Sequence, residues 1–296
     1  MIDLGNLLLT GASGLFGTNF QRLNPAGFNV VPAKSRTRDH AFSSIPIDVD
    51  LADQHGLEKV LVENDISFVV NAAGMTDVEL CEARPEEAFR INGELAGMVA
   101  AAAANIGVKL LHMSTDHIFD GTVPLQTETA IPKPINVYGK SKALGEELVL
   151  SKCPDAVVVR CNFFGWGPRY RRSFSDFIYD RLSNNLSVDL AGDVFFSPAS
   201  TKRLVWAVAE LLKLNVNGVF NAVGCERVSK LAFGQILADV FDFSPTLIRE
   251  VSLDQLPLKT VRPRDMSLCD KKITSVLGQG LGTPLENLKI LRSDKI

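Results

Sequence analysis

The sequence has no run of basic residues, no paired-cysteine motif and no long apolar stretch, and each absence removes a class of function. Lys and Arg number 31 against 34 Asp and Glu, for a formal net charge of -3. That balance points to neither nucleic acid nor an anionic membrane as partner. The five cysteines (Cys81, Cys153, Cys161, Cys225, Cys269) are scattered and odd in number, without a C-x-x-C or Cys/His cluster. A disulfide framework or zinc site is therefore not expected, and a reducing compartment is. The four histidines (His40, His55, His112, His117) show no ligand spacing, so no metal is expected. The opening Met1-Ile2-Asp3-Leu4-Gly5 lacks the basic start of a secretion signal. The longest weakly polar stretch, 96–108, is Ala-rich, interrupted by Asn105, and too short and mild to span a bilayer. The chain reads as cytoplasmic. It also lacks internal repeats and low-complexity linkers.

What is present is a core-building composition: 296 residues, 46% hydrophobic and 22% charged, enough for one large or two interlocked domains. Apolar strand-like runs at 6–10, 28–33, 66–73, 108–113 and 156–161 alternate with helical patterns. One of these, 86–104, reads as a single long helix closed by Asn105-Ile106-Gly107. Fully apolar strands separated by helices predict an α/β fold, a doubly wound parallel sheet of Rossmann type covered on both faces. After Phe163 the pattern loosens. Residues 165–172 predict a loop, 201–214 a helix, and 219–223 a late strand returning to the sheet. Proline breakers at 245, 257, 263 and 284 punctuate the rest. The expected organisation is a nucleotide-binding domain over 1–163, completed by about 195–223, with a smaller, sequence-interleaved C-terminal substrate domain over 164–194 and 224–296.

Gly11-Ala12-Ser13-Gly14-Leu15-Phe16-Gly17 follows the first strand and opens a helix, with G-x-x-G-x-x-G spacing. Glycines there let the backbone approach a pyrophosphate, and the helix N-terminus offers free N–H groups and a positive dipole end. After the second strand comes Lys34-Ser35-Arg36-Thr37-Arg38, with no acid before Asp39. A cation at this place favours the 2′-phosphate of NADP over the ribose hydroxyl of NAD, so NADP(H) is expected, held by Lys34 or Arg36.

Tyr138 and Lys142 stand four apart on a helical stretch, which puts them on one face a turn apart. An ammonium beside a phenol favours the phenolate and lowers its pKa, so Tyr138 could protonate a carbonyl oxygen as hydride reaches its carbon. Thr115 follows the strand ending at Met113, at the sheet edge where ligands bind, and could hydrogen-bond the same oxygen. Bland readings fit other features better. Trp166 is a loop anchor as readily as a stacking platform. Arg169, Arg171 and Arg172 read as a solvated loop, Phe174, Phe177 and Ile178 as a core-facing stripe, and His112 and Cys161 as core.

Together these residues resemble the extended short-chain dehydrogenase/reductase superfamily, and within it the dTDP-4-dehydrorhamnose reductase group. The resemblance runs through 11–17, 50–53, 70–78, 114–121, 134–142 with Gly145-Glu146, and Arg262-Pro263-Arg264-Asp265-Met266-Ser267-Leu268. It implies a catalytic set of Thr115, Tyr138 and Lys142, with Asp116 assisting at the sugar. It implies cofactor contacts from Gly11, Ser13, Gly14, Leu15, Phe16, Gly17, Asp50, Leu51, Ala72, Ala73, Gly74, Asn92 and Met113, and substrate contacts from Thr76, Val78, Phe163 and Arg262. Three positions depart from the group: His117 where Tyr is usual, Phe163 where Trp is frequent, and Leu15 where Gln is common. The activity implied is NADPH-dependent reduction of the 4-keto group of a nucleotide-linked 6-deoxyhexose, in nucleotide-sugar or polysaccharide biosynthesis. Two other readings share the scaffold: a sugar-nucleotide epimerase or dehydratase retaining NAD, and a non-catalytic NADP-binding regulatory subunit. The superfamily often forms homodimers.

Overall fold

The computed structural model describes residues 4–24, 27–34, 46–214 and 216–295. Six parallel strands form its central sheet: β1 (Asn6–Thr10), β2 (Asn29–Pro32), β3 (Ile66–Asn71), β4 (Lys109–Met113), β5 (Val157–Arg160) and β6 (Gly218–Asn221). Their order across the sheet is β6-β5-β4-β3-β1-β2. An isolated parallel bridge between Ala33 and Ile47 adds a further edge beside β2. The order reverses at β1, where a doubly wound sheet opens its ligand crevice beyond the strand C-termini. Every predicted strand of the sheet is present: β1 has the expected bounds, β2 to β5 are shortened by one or two residues at an end, and β6 starts one residue earlier and ends two earlier than expected.

Burial explains the apolar runs. Leu7 and Leu9 of β1 face one side with Val70, Leu111 and Val159, while Leu8 faces the other with Val69, Leu110 and Val158. Helices 15–23 and 201–213 cover the first side; helices 54–63 and 95–106 cover the second. A separate core gathers Phe164, Ile178, Leu190, Phe196, Phe233 and Leu288. Ile273 and Leu281 join the sheet's core rather than this one, so residues 271–281, expected in the substrate domain, pack against the central sheet's layer.

Two local expectations change. The stripe Phe174, Phe177, Ile178 is only partly core: Ile178 is buried, Phe174 stacks on Phe233 at 5.8 Å, and Phe177 is 49% exposed. The helix expected over 86–104 is instead an α-turn at Pro85–Phe89, a π-helical turn at Arg90–Glu94 and an α-helix at Leu95–Ile106. Its end is as expected, with Gly107 in the left-handed conformation. A π-turn re-aims one side chain at the cost of regular bonding, and the residue re-aimed here is Asn92. Among the described residues, no helix is long and apolar enough to cross a membrane.

Candidate active site

The first strand-to-helix junction is built for close approach. Gly11 has φ +64°, and a Cβ there would lie 2.3 Å from the Ala72 carbonyl oxygen. A Cβ on Gly17 would lie 2.4 Å from the Gly11 oxygen. Gly14 caps helix 15–23 without a side-chain hydrogen bond, and the helix carries no acid in its first turn. Its leading N–H groups therefore have no intrahelical or side-chain acceptor and suit an anion. Phe16 is buried in the core, so only its backbone can face that anion. Ser13 offers its carbonyl to the Tyr170 hydroxyl at 3.0 Å. Around the expected adenine end, Asp50 accepts from the Ala52 N–H at 2.9 Å, Leu51 packs on the core and Lys34 is exposed. Arg36 lies outside the described residues.

A buried polar chain runs from this loop to the Tyr/Lys helix. The Thr10 hydroxyl donates to Asn71 Oδ1 at 2.6 Å and accepts from the Ala73 N–H at 3.1 Å. Asn71 Nδ2 meets His112 Nδ1 at 3.2 Å, and His112 Nε2 lies 3.5 Å from Lys142 Nζ. Lys142 donates to the Met113 carbonyl at 2.6 Å. His112 is thus the partnered core histidine expected, but it also steadies the lysine. Burial holds it neutral, helped by the Lys142 charge. Asn92 ties a second strut: it accepts from the Met75 N–H at 2.8 Å and donates to the Met75 carbonyl and the Ser141 hydroxyl, each at 2.9 Å. Beneath them Arg160 grips Glu146 through three hydrogen bonds of 2.7–3.1 Å, both side chains about 95% buried, and Ser114 donates to the same carboxylate. Asn71 and Ser114 lie in segments of the family resemblance without a role assigned to them, and Thr10 and Arg160 do not stand out in sequence.

Tyr138 and Thr115 come together as the motif predicts. Tyr138 is buried on Val78, Met75, Val137, Cys81 and Ala88. Burial raises its phenol above the ordinary value; Thr115's hydroxyl pulls the other way and Asp116 adds to the rise. This differs from the expectation that Lys142 lowers it, because the ammonium is turned to Met113 and His112. The phenol is consequently protonated at neutral pH, the state a proton donor needs. Burial also lowers Lys142 to about 8, against opposing pulls from Cys161 and Glu146.

Above this floor lies a rim drawn from three elements. Asp116, buried, accepts from Asn162 at 2.5 Å and from the Thr115 hydroxyl at 3.3 Å. His117 stands edge-on to Tyr138, ring centroids 5.4 Å apart, and burial with the Arg262 and Lys230 charges pushes it down to about 3. Arg262 donates to Glu79 at 2.9 Å, and the Thr260 hydroxyl donates to the same carboxylate at 2.8 Å. Among the described residues, His117 Nδ1 and Arg262 Nη1 are buried without a hydrogen-bond partner. Thr76 is exposed at the mouth and Val78 lines the Tyr138 ring. Phe163 instead turns toward the phosphate-loop helix, its ring 6.1 Å from Phe16. Trp166 anchors its loop, donating to the Leu291 carbonyl at 2.8 Å and packing edge-on against Tyr179.

The family model described as RmlD substrate binding domain matches residues 5–289. At 30% identity, over 96% of both chains, the chain is similar to the probable low-salt glycan biosynthesis reductase Agl14 of Haloferax volcanii. At 28% identity, over 94% of this chain and 84% of the relative, it is similar to methionine adenosyltransferase 2 subunit beta of Bos taurus. Among solved structures it is similar to dTDP-4-dehydrorhamnose reductase from Bacillus anthracis in complex with NADP, with TM-score 0.88 and 22% identity over 100% of both chains.

Proposed function

The chain belongs to the RmlD substrate binding domain family, and from that premise we propose that it is an NADPH-dependent reductase of the 4-keto group of a dTDP-linked 6-deoxyhexose. The carrying observation is the buried Tyr138 beside Thr115, with Lys142 one helical turn on and bonded to the Met113 carbonyl at the C-terminal end of β4. The reductase named among its relatives supports the same chemistry.

The glycine cradle and uncapped helix N-terminus fit a dinucleotide pyrophosphate. Bound NADPH would supply the hydride. Tyr138 donates its proton to the carbonyl oxygen, and Thr115 hydrogen-bonds that oxygen. The resulting phenolate sits one helical turn from the Lys142 ammonium, which steadies it until solvent returns the proton. Asp116 orients the sugar, and Arg262 holds its far side. Lys34 or Arg36 takes the 2′-phosphate. The test is loss of nicotinamide absorbance on mixing the protein, NADPH and dTDP-4-keto-6-deoxy-D-glucose. No consumption with any 4-keto sugar nucleotide refutes the reading.

A second reading has its own support. One relative bears the name of a subunit, methionine adenosyltransferase 2 subunit beta, and a fold can bind a cofactor without turning it over. That reading expects NADPH binding without turnover. Arg36→Ala should weaken NADPH far more than NADH under either reading.

A further inference from the structure

A cleft of about 460 Å³ opens away from the proposed active site, between helix 15–23, loop 165–172, helix Phe174–Ser183 and the end of the chain. That volume falls in the range of roughly 300–1,000 Å³ usual for small-molecule sites. None of the residues assigned above to the cofactor, the acid or the sugar lines it. Two of its lining side chains are polar and buried: Asn19 is 4% exposed and Asp176 0%. Hydrogen bonds run in sequence through its wall. Arg22 donates to Asn19 Oδ1 at 3.1 Å, Asn19 donates to the Trp166 carbonyl at 3.0 Å, and the next N–H, of Gly167, donates to Asp176 Oδ2 at 3.0 Å. These bonds hold Arg22, Trp166 and Asp176 around one cleft.

The charges lining the cleft are unevenly answered. Arg172 pairs with Asp180, and Asp294 with Lys202 at 2.9 Å. Lys295 meets the Tyr179 hydroxyl, a neutral group. Arg22 is exposed and, among the described residues, makes one hydrogen bond, to Asn19, and no ion pair. Asp176 Oδ2 also accepts from the Ser173 N–H at 2.8 Å, whereas Oδ1 is buried without a hydrogen-bond partner among the described residues. A guanidinium without a carboxylate suits a phosphate, and a carboxylate oxygen without a donor suits a hydroxyl. Trp166 and Pro168 line the cleft as well, and the indole N–H is already given to the Leu291 carbonyl, which leaves apolar surface for the C–H face of a ring. We propose that this cleft binds a phosphate monoester of a hydroxyl-bearing ring, a sugar or a nucleoside, with the phosphate on Arg22, the ring on Trp166 and a hydroxyl toward Asp176. The assignment is independent of the reductase reading, since no residue of that chemistry takes part in it.

Calorimetric titration of the whole chain tests it, with NADPH present to fill the glycine loop. The probes are glucose 1-phosphate, thymidine 5′-phosphate and inorganic phosphate. At least one ring phosphate should bind about 10-fold or more tightly than inorganic phosphate, because only it reaches Trp166 and Asp176. Binding of glucose 1-phosphate alone makes the ligand a sugar phosphate, and binding of thymidine 5′-phosphate alone makes it a nucleotide; either supports the site. Arg22→Gln, an exposed change that leaves Tm in place, should weaken the ring phosphate about 10-fold or more, as for loss of a charge-assisted hydrogen bond. Asp176→Asn keeps the shape and replaces an acceptor with a donor, so it should weaken the ring phosphate and leave inorganic phosphate unchanged. Arg262→Met, in the proposed sugar site, should leave both within about twofold. Three results overturn the assignment: no binding of either ring phosphate, inorganic phosphate bound as tightly as both, or an affinity that survives Arg22→Gln.

Discussion

The floor and the rim of this site are built on opposite principles. On the floor, Thr10, Asn71, His112, Lys142, Asn92, Glu146 and Arg160 are all partnered within the protein. On the rim, His117 Nδ1 and Arg262 Nη1 are buried with no hydrogen-bond partner among the described residues, and the Lys230 ammonium rests on aromatic faces. A buried polar atom left unpaired costs roughly 1–3 kcal/mol. The floor therefore contributes a preorganised acid and its support, and the rim carries unmet hydrogen-bonding capacity that a sugar can satisfy. Substitutions should separate along the same line: floor variants change rate or stability, and rim variants change apparent substrate affinity.

Tyr138→Phe is the sharpest way to break the floor. It removes the proposed proton donor and keeps the ring, so kcat should fall about 10²- to 10⁴-fold. NADPH affinity should be nearly unchanged, and a wild-type rate would remove Tyr138 from the chemistry. Arg160→Met comes next and acts on folding. It strands Glu146 as an unpaired buried charge, which costs about 3–5 kcal/mol. Thermal unfolding should show Tm lower by on the order of 10 °C; an unchanged Tm would mean that Glu146 is protonated or hydrated in the folded state. Arg262→Met tests the rim. Apparent KM for the keto sugar should rise about 10-fold or more, as for loss of one charged hydrogen bond, with kcat and Tm moving little. A large fall in Tm would show that the Glu79 clasp is structural and that the floor–rim division is drawn in the wrong place.

The floor and the rim also differed in how far they could be read from residue order. The sheet was legible because its strands are apolar on both faces, and a two-sided core leaves few alternatives. The glycine loop and the Tyr138/Lys142 pair were legible because each is a short-range spacing. The pairings of Thr10, Asn71 and Arg160 were not, since their partners lie 61, 41 and 14 positions away and nothing local marks them. The π-turn at Arg90–Glu94 was hidden by an unbroken helical pattern, and only the tertiary bonds of Asn92 reveal its use. Phe163 was expected at the sugar from the resemblance alone and packs beside Phe16; it lies past the predicted strand 156–161, and residue order does not say which way its ring turns. One signal for the rim was visible and unread: a lysine at a helix's first position, directly after a Ser cap, is a cost that local structure does not explain.

Lys142 gives the finest test, because its effects on stability and on activity should run in opposite directions. Burial lowers its pKa from 10.5 to about 8. The folded state therefore binds its proton less tightly than the unfolded chain. The cost of burying the charge is fully present below about pH 8 and is relieved as pH rises from about 8 toward the unfolded value. On the proposed mechanism the ammonium steadies the Tyr138 phenolate, so kcat/KM should decline above that same pH by about tenfold per unit. Tyr138 itself titrates higher and cannot account for the limb. Lys142→Arg keeps a permanent cation and should carry activity past the limb, at whatever rate the larger group allows. Lys142→Met should be slow and flat across the range. The measurement is kcat/KM against pH with Tm recorded beside it. A limb near pH 8 that persists in Lys142→Arg would belong to another group, and the polar chain from Thr10 to Lys142 would then be scaffolding for the strand rather than support for the acid.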